Sequence, residues 1–267
     1  MRSLIIKLYH RPHVLIVSGL DPSGGAGIQA DIQAVTALGC HPLPVLSCLT
    51  VQDTRNVYNA TATDPEIIRQ QLECLAADSP IHAIKTGALG NAAVVDVLVD
   101  FLADHPEVPL ITDPVIKAAG GGDLADEVLI DRMKGRLFPR AEIITPNGIE
   151  LALLGGDNDE ARSALNLLAT GCQSVLATGG HGEGEEIINT LYAPDHEPLH
   201  FYIERIGGEY HGTGCTLAAS IAAGRASGLS VRAAIAQAQN YVLRAIRHAL
   251  KVGEGQPVPD RGIPWEN

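Results

Sequence analysis

The sequence predicts an α/β fold, a single domain with a mainly parallel sheet and helices on both faces. Short apolar runs alternate with segments of helical period from residue 13 to residue 250. Turns bearing glycine or proline follow the apolar runs, where the carboxyl ends of parallel strands would lie. A chain of 267 residues, 46% apolar and 19% charged, can bury one full core and lacks the composition of a disordered protein.

Each element has a local reason. His13–Ser18 is an apolar run read as a buried strand. Ile28–Leu38 carries apolar residues at 28, 32, 35 and 38 and is followed by Gly39, which marks a helix with a glycine stop. Pro44–Val51 reads as the second strand. Asp64-Pro65-Glu66 supplies an N-cap, a first-turn proline and an acidic first turn for a helix through Leu75. The alternation continues with strand Ala83–Thr86, helix Ala92–Ala103, strand Leu110–Asp113, helix Leu124–Lys134, strand Ile143–Thr145 and helix Ile149–Leu154. A further helix near Glu160–Ala169 leads to strand Ser174–Thr178. The rhythm then changes. Glu186–Ala193 and Leu199–Arg205, joined by Pro194-Asp195-His196, read as a β-hairpin insertion. Two helices close the pattern, the second being the strongly amphipathic Val231–Leu250. Residues 1–12 read as an N-terminal extension and 251–267 as a C-terminal tail, with one domain from 1 to 267.

Composition narrows the partners. A net charge of −12 gives no support for nucleic-acid binding, so positive potential must be built locally. The five cysteines (Cys40, Cys48, Cys74, Cys172, Cys215) are odd in number and contain no C-x-x-C pair. That pattern argues against a disulfide framework or a zinc site and fits a reduced, cytoplasmic setting. No apolar run approaches the ~20 residues that span a bilayer, and the charged start MRSLIIKLYHRPHVLIV does not read as a signal peptide.

The most informative segment is His211-Gly212-Thr213-Gly214-Cys215-Thr216, followed by the small-residue run Leu217–Gly224. Two glycines allow close backbone approach, and the residues behind them turn helical, with Leu217, Ile221 and Gly224 on one face. A helix N-terminus behind such a turn attracts negative charge. Its dipole is expected to loosen the proton of Cys215, which otherwise reads as a small buried core thiol. The other cysteines read as buried core thiols. Gly19–Gly27 is a second glycine-rich strand-to-helix loop, with one acid, Asp21, and neither a Walker lysine nor G-x-G-x-x-G order. It reads as a tight turn or as a loop pressed on a small substrate. Asn147-Gly148-Ile149-Glu150 reads equally as a capping box or as oxygen support for a nucleotide's Mg²⁺. Asp113, before Pro114, is a second candidate acid. His181 and His211 read as structural, and Lys85 as a buried lysine that pairs with an acid or faces the Thr86-Gly87 turn.

Several motifs together resemble the ribokinase-like superfamily, and within it the hydroxymethylpyrimidine/phosphomethylpyrimidine kinases of thiamine biosynthesis. They are SGLDPSGGAGIQAD (18–31), ALGCHPLPVLSCLTVQDT (37–54), Lys85-Thr86-Gly87, DPV (113–115), TPNGIE (145–150), GGH (179–181) and HGTGCTLAASIAAG (211–224). The resemblance implies a ribokinase-like three-layer αβα sandwich and ATP- and Mg²⁺-dependent phosphorylation of 4-amino-5-hydroxymethyl-2-methylpyrimidine and its monophosphate. It also implies a homodimer. It assigns Gly19, Asp21, Ala26, Gln52 and Val115 to the pyrimidine pocket and Thr178 and Gly180 to the nucleotide. Asp113, Asn147 and Glu150 fall to the metal, and Gly212, Thr213, Gly214 and Cys215 to an anion hole with the general base. The family commonly has Met where this chain has Ala88 and Lys where it has Thr178. Its A-K-S-G-type or A-T-S-G-type loop after DPV is here Lys117-Ala118-Ala119-Gly120-Gly121-Gly122. Pyridoxal kinase is the alternative activity, and a catalytically silent pyrimidine binder the alternative of another class.

Overall fold

The computed structural model describes residues 10–117, 122, 124–180 and 184–263. His181, most of the Lys117–Gly122 loop, most of the expected N-terminal extension and the last four residues lie outside these described residues. Nine strands form one sheet: β1 His13–Leu20, β2 His41–Gln52, β3 Val57–Ala62, β4 Ala83–Thr86, β5 Leu110–Thr112, β6 Ile143–Ile144, β7 Val175–Ala177, β8 Glu186–Tyr192 and β9 Leu199–Glu204. Their order is β3-β2-β1-β4-β5-β6-β7-β8-β9. The central pairs from β2 to β7 are parallel, while β3 and the β8–β9 hairpin add antiparallel edges.

Strand alternation explains the layers. In β1, Leu15 and Val17 point to one face and Val14 and Ile16 to the other, and all are fully buried. The first face is covered by α2 (Pro65–Asp78), α3 (Ala92–Ala103), α4 (Glu127–Arg132), α5 (Gly148–Gly155) and α6 (Glu160–Leu168). The second is covered by α1 (Gly27–Ala37), α7 (Thr213–Ala226) and α8 (Val231–Arg247). This is the expected three-layer αβα sandwich with a hairpin insertion.

Local chemistry sets the boundaries. Asp64 accepts from Glu66 N with Pro65 in the first turn of α2, and Asn91 accepts from Val94 N at the start of α3. Several expectations need correction. Helix Leu124–Lys134 starts later, because Leu124 N and Ala125 N donate to Ile116 O and Asp126 becomes the cap. It then continues through a π-helical turn, Met133–Leu137. β3 was not expected, because none of its residues is buried and an edge strand without a core face shows no alternation. Cys74 is exposed on α2, whose buried side carries Ile68 and Leu72. The helix after Gly212 has no single apolar face: every residue from Thr216 to Gly224 is buried between the sheet, α1 and α8.

Residues after α8 are not a free tail. Leu250 and Val258 pair through both backbone groups, Pro257 O accepts from His211 N, and Gly255 N donates to Thr54 Oγ1. The segment is laced across the carboxyl edge of the sheet, where the loops converge. No helix among the described residues is long and apolar enough to cross a membrane.

Candidate active site

The loops that follow β1, β2, β4, β5, β6 and β7 meet the N-terminus of α7 around a cavity of about 670 Å³. This is the carboxyl edge of the parallel strands, where open α/β sheets bind ligands. Every site residue expected from sequence lines it. Gly19, Asp21, Ala26 and Gln52 stand on one side, with Val115 and Asp113 beside them. Asn147, Glu150, Thr178 and Gly180 come from the next loops, and Gly212, Thr213, Gly214 and Cys215 from the start of α7.

Gly212 is the N-cap of α7, in the left-handed region at φ 86°, and no side chain caps the first turn. The leading N–H groups of the helix therefore remain available to an anion at the cavity wall. Gly212 could not carry a side chain. A Cβ there would collide with the Gly25 carbonyl and stand 2.6 Å from the Arg261 guanidinium.

Asp21 organises the glycine-rich loop. One of its carboxylate oxygens accepts from Ser23 N at 2.8 Å and Ser23 Oγ at 2.7 Å. The other accepts from Ala26 N at 2.9 Å and His211 Nε2 at 2.7 Å. Burial would raise this acid, but the bonds from His211 and Ser23 hold it below the usual carboxylate range. Its acceptor sites are filled from within, so Asp21 shapes the loop that Ala26 and Gly19 present to the cavity. His211, read from sequence as structural, is the pin between this loop and the Gly212 turn. Gln52 Nε2 lies 3.4 Å from the same ring nitrogen.

Behind the cavity lies a fully buried ion cluster. Lys85 Nζ is 2.8 Å from Asp31 and 3.7 Å from Asp113. Burial opposes the ammonium, but the charges of Asp31 and Asp113 outweigh it and Lys85 stays protonated. Burial raises both carboxyl groups above their usual range. The sequence alternatives for Lys85 are thus resolved in favour of pairing, with two acids.

Cys215 corrects a sign. The helix dipole was expected to lower the thiol, yet burial pushes it well up and the Asp113 carboxylate beside it pushes it further. Lys85 pulls the other way without prevailing. In the unliganded site the sulfur is therefore a thiol.

The Asn147 motif resolves as a capping box. Asn147 Oδ1 accepts from Ile149 N and Glu150 N, and Glu150 Oε2 accepts from Asn147 N, each at 3.0 Å. Glu150 is nevertheless buried at the cavity wall, and burial together with Asp113 pushes its pKa up to about 8. Asp113 Oδ2 is buried with no hydrogen-bond partner. Two buried carboxyl groups, one raised by the charge of the other and that other with an oxygen no hydrogen bond fills, suit a hard divalent cation that brings its own waters and phosphates. No cluster of three or more metal-ligating side chains exists among the described residues. Asp113 and Glu150 would hold Mg²⁺, with Asn147 placing Glu150.

Two contributors have weak sequence signals. Arg205, at the end of β9, lines the cavity and donates to the carbonyls of Gly180 and Gly184 at 2.9 Å each. Arg261, from the expected tail, reaches Thr216 Oγ1 at 2.7 Å and Gly25 O at 2.5 Å. A lone arginine in a polar stretch gives no periodic or spacing signal.

An uncapped helix start, a glycine-rich loop and a carboxylate pair on one αβα sheet edge are the parts a small-molecule phosphotransferase needs. The sequence profile of the phosphomethylpyrimidine kinase family matches residues 21–259, and the chain belongs to that family. It is 36% identical over 257 residues to a hydroxymethylpyrimidine/phosphomethylpyrimidine kinase of Streptomyces coelicolor, covering 94% of each chain. It is 37% identical over 254 residues to a thiamine biosynthesis bifunctional protein of Geobacter sulfurreducens, covering 92% of this chain and spanning about half (51%) of that longer relative. Among solved structures, a pyridoxal kinase of Bacillus subtilis in complex with ADP superposes with a TM-score of 0.85 at 26% identity, covering 94% of this chain and 98% of that one. A phosphomethylpyrimidine kinase of Clostridium difficile gives 0.75 at 29% identity, covering 88% and 99%. The ribokinase-like fold and the phosphotransferase class expected from the motifs both hold.

Proposed function

We propose that this protein phosphorylates the hydroxymethyl group of 4-amino-5-hydroxymethyl-2-methylpyrimidine and then its monophosphate, using ATP and Mg²⁺. The observation that carries this reading is the convergence on one cavity of every site residue that the family resemblance assigns. The ADP complex of the Bacillus pyridoxal kinase supports a nucleotide as phosphoryl donor.

Phosphoryl transfer is chiefly positioning and charge stabilisation, because its loose transition state spreads charge over equatorial oxygens. The free N–H groups at the start of α7 would hold those oxygens. Gly19, Ala26, Gln52 and Val115 would frame the pyrimidine, with the Asp21–His211 bond fixing the loop. Thr178 and Gly180 would border the nucleotide. Mg²⁺ held by Asp113 and Glu150 would neutralise charge on the transferred phosphates. For the Cys215 sulfur to take the hydroxyl proton, it must first release its own. Water in the cavity would take that proton, and the Lys85 ammonium would balance the negative charge left on the sulfur.

The test is a product assay with ATP and Mg²⁺ that resolves mono- from diphosphorylated pyrimidine, run in parallel with pyridoxal. Both phosphorylated pyrimidines are the expected products. A kcat/KM preference for pyridoxal, whose kinase shares the higher TM-score, would overturn the substrate assignment.

Glu150 makes the metal step pH-dependent. A carboxyl raised to about 8 keeps its proton in the folded state between its ordinary 4.5 and 8. Its contribution to stability is fully present below about pH 4.5 and is lost as pH rises through about 8. A cation must displace that proton, so Mg²⁺ affinity should climb with pH from 6 toward 8, with proton release. Titration calorimetry in buffers of different ionisation enthalpy reads both. Affinity independent of pH over that range would remove Glu150 from the site.

A further inference from the structure

The segment after α8 carries a side chain that reaches the back of the turn at Gly212 and lies beyond residue 259, where the family match ends. Arg261 is 3% exposed. Its Nε donates to Thr216 Oγ1 at 2.7 Å, and its Nη2 to Gly25 O at 2.5 Å and Gly212 O at 3.4 Å. Thr216 Oγ1 in turn donates to Gly212 O at 2.7 Å. The backbone of Arg261 is anchored separately, since its carbonyl accepts from the buried Tyr241 hydroxyl at 3.0 Å. Among the described residues no carboxylate stands within ion-pair distance of the guanidinium.

A buried guanidinium normally sits against a carboxylate, because an unpaired charge in the interior is costly. Here its partners are two carbonyls and a hydroxyl. Those carbonyls belong to two glycine turns packed directly against each other, Gly25 on the loop before α1 and Gly212 at the cap of α7, where a Cβ on Gly212 would collide with Gly25 O. The planar fork of an arginine can bond both at once, which an ammonium on a flexible stem does poorly. With Gly212 O drawn toward the guanidinium, the N–H side of the turn is left facing the cavity.

We propose that Arg261 is a positioning residue of the phosphoryl-transfer centre, clamping the loop at Gly25 to the anion-binding turn at Gly212–Thr216 and placing a buried positive charge behind that turn. The inference rests on the reading of residues 212–216 as the anion hole. It predicts a rate effect with little effect on binding: the hole loses its alignment, while the walls that hold nucleotide and alcohol remain.

The experiment compares Arg261→Ala, Arg261→Met and Arg261→Lys with the wild type. All are assayed with whichever of the pyrimidine or pyridoxal the wild type phosphorylates. A wrong substrate and a wrong role for Arg261 then give different results. Expected is a fall in kcat of about tenfold to 10²-fold in the Met variant, as for an ångström-scale misplacement in an active site. KM for both substrates should stay within about threefold, because interactions lost only in the transition state leave KM unchanged. The Lys variant should fall between, and low millimolar guanidinium should restore part of kcat in the Ala variant only. Melting curves fix the folded fraction at the assay temperature. Wild-type kcat per folded molecule in the Met or Ala variant would overturn the inference, and so would a loss that tracks unfolding alone. If the neutral variants do not fold, wild-type kcat in the Lys variant would do the same.

Discussion

Alanine at position 215 is expected to leave a folded protein that has lost most of its turnover. Cys215 is half-buried at the first turn of α7 and fills no core position, so the stability change should stay near 1 kcal/mol, typical of a small truncation. General-base assistance in positioned sites is worth about 10²–10⁴-fold, and kcat should fall by that factor while KM for ATP holds. Near-normal turnover would show that the sulfur takes no part in proton transfer. Because burial and Asp113 hold the thiol protonated, iodoacetamide near neutral pH should label exposed Cys74 well before Cys215 in the unliganded protein. Faster labelling of Cys215 would restore the picture of a preformed thiolate.

The second large effect is on stability. Lys85 is fully buried between Asp31 and Asp113, and its removal strands two carboxylates in the interior. Breaking a buried ion pair from one side costs about 3–5 kcal/mol. Lys85→Met should therefore lose about that much in urea unfolding, with Tm lower by about 10 °C. Neutralising a partner as well, in Lys85→Met/Asp31→Asn, should recover part of the loss, since the cost lies in the unmatched charge and not in the missing methylenes. A single variant within about 1 kcal/mol of wild type would mean that the cluster takes up protons or water without strain. Turnover offers an independent reading, because Asp113 faces both Lys85 and Cys215.

The fold was legible wherever burial imprinted a period. β4 and α3 fall at their expected boundaries because an apolar run or a capped amphipathic helix announces itself locally. β3 escaped for want of any core-facing residue, and α4 slid because the Ile116 carbonyl captured the backbone ahead of it. The site was legible as a set of glycine turns, since those turns need particular residue types. Its electrostatics were not. The dipole at Cys215 could be read from the turn-to-helix pattern, but the opposing Asp113 comes from a strand about a hundred residues away and depends on burial. The Asp21–His211 bond and the reach of Arg261 are likewise products of folding, joining residues with no shared pattern.

The position of Arg261 in the chain has a consequence for how the site can be lost. Every strand and helix of the sheet and its two layers precedes it, so the segment that carries it can lift away without unpairing the sheet or unpacking a helix. The two glycine turns would then lose their tie while the core stayed whole. Such a local opening costs less free energy than global unfolding, so chemistry would fail at a lower temperature than the fold does.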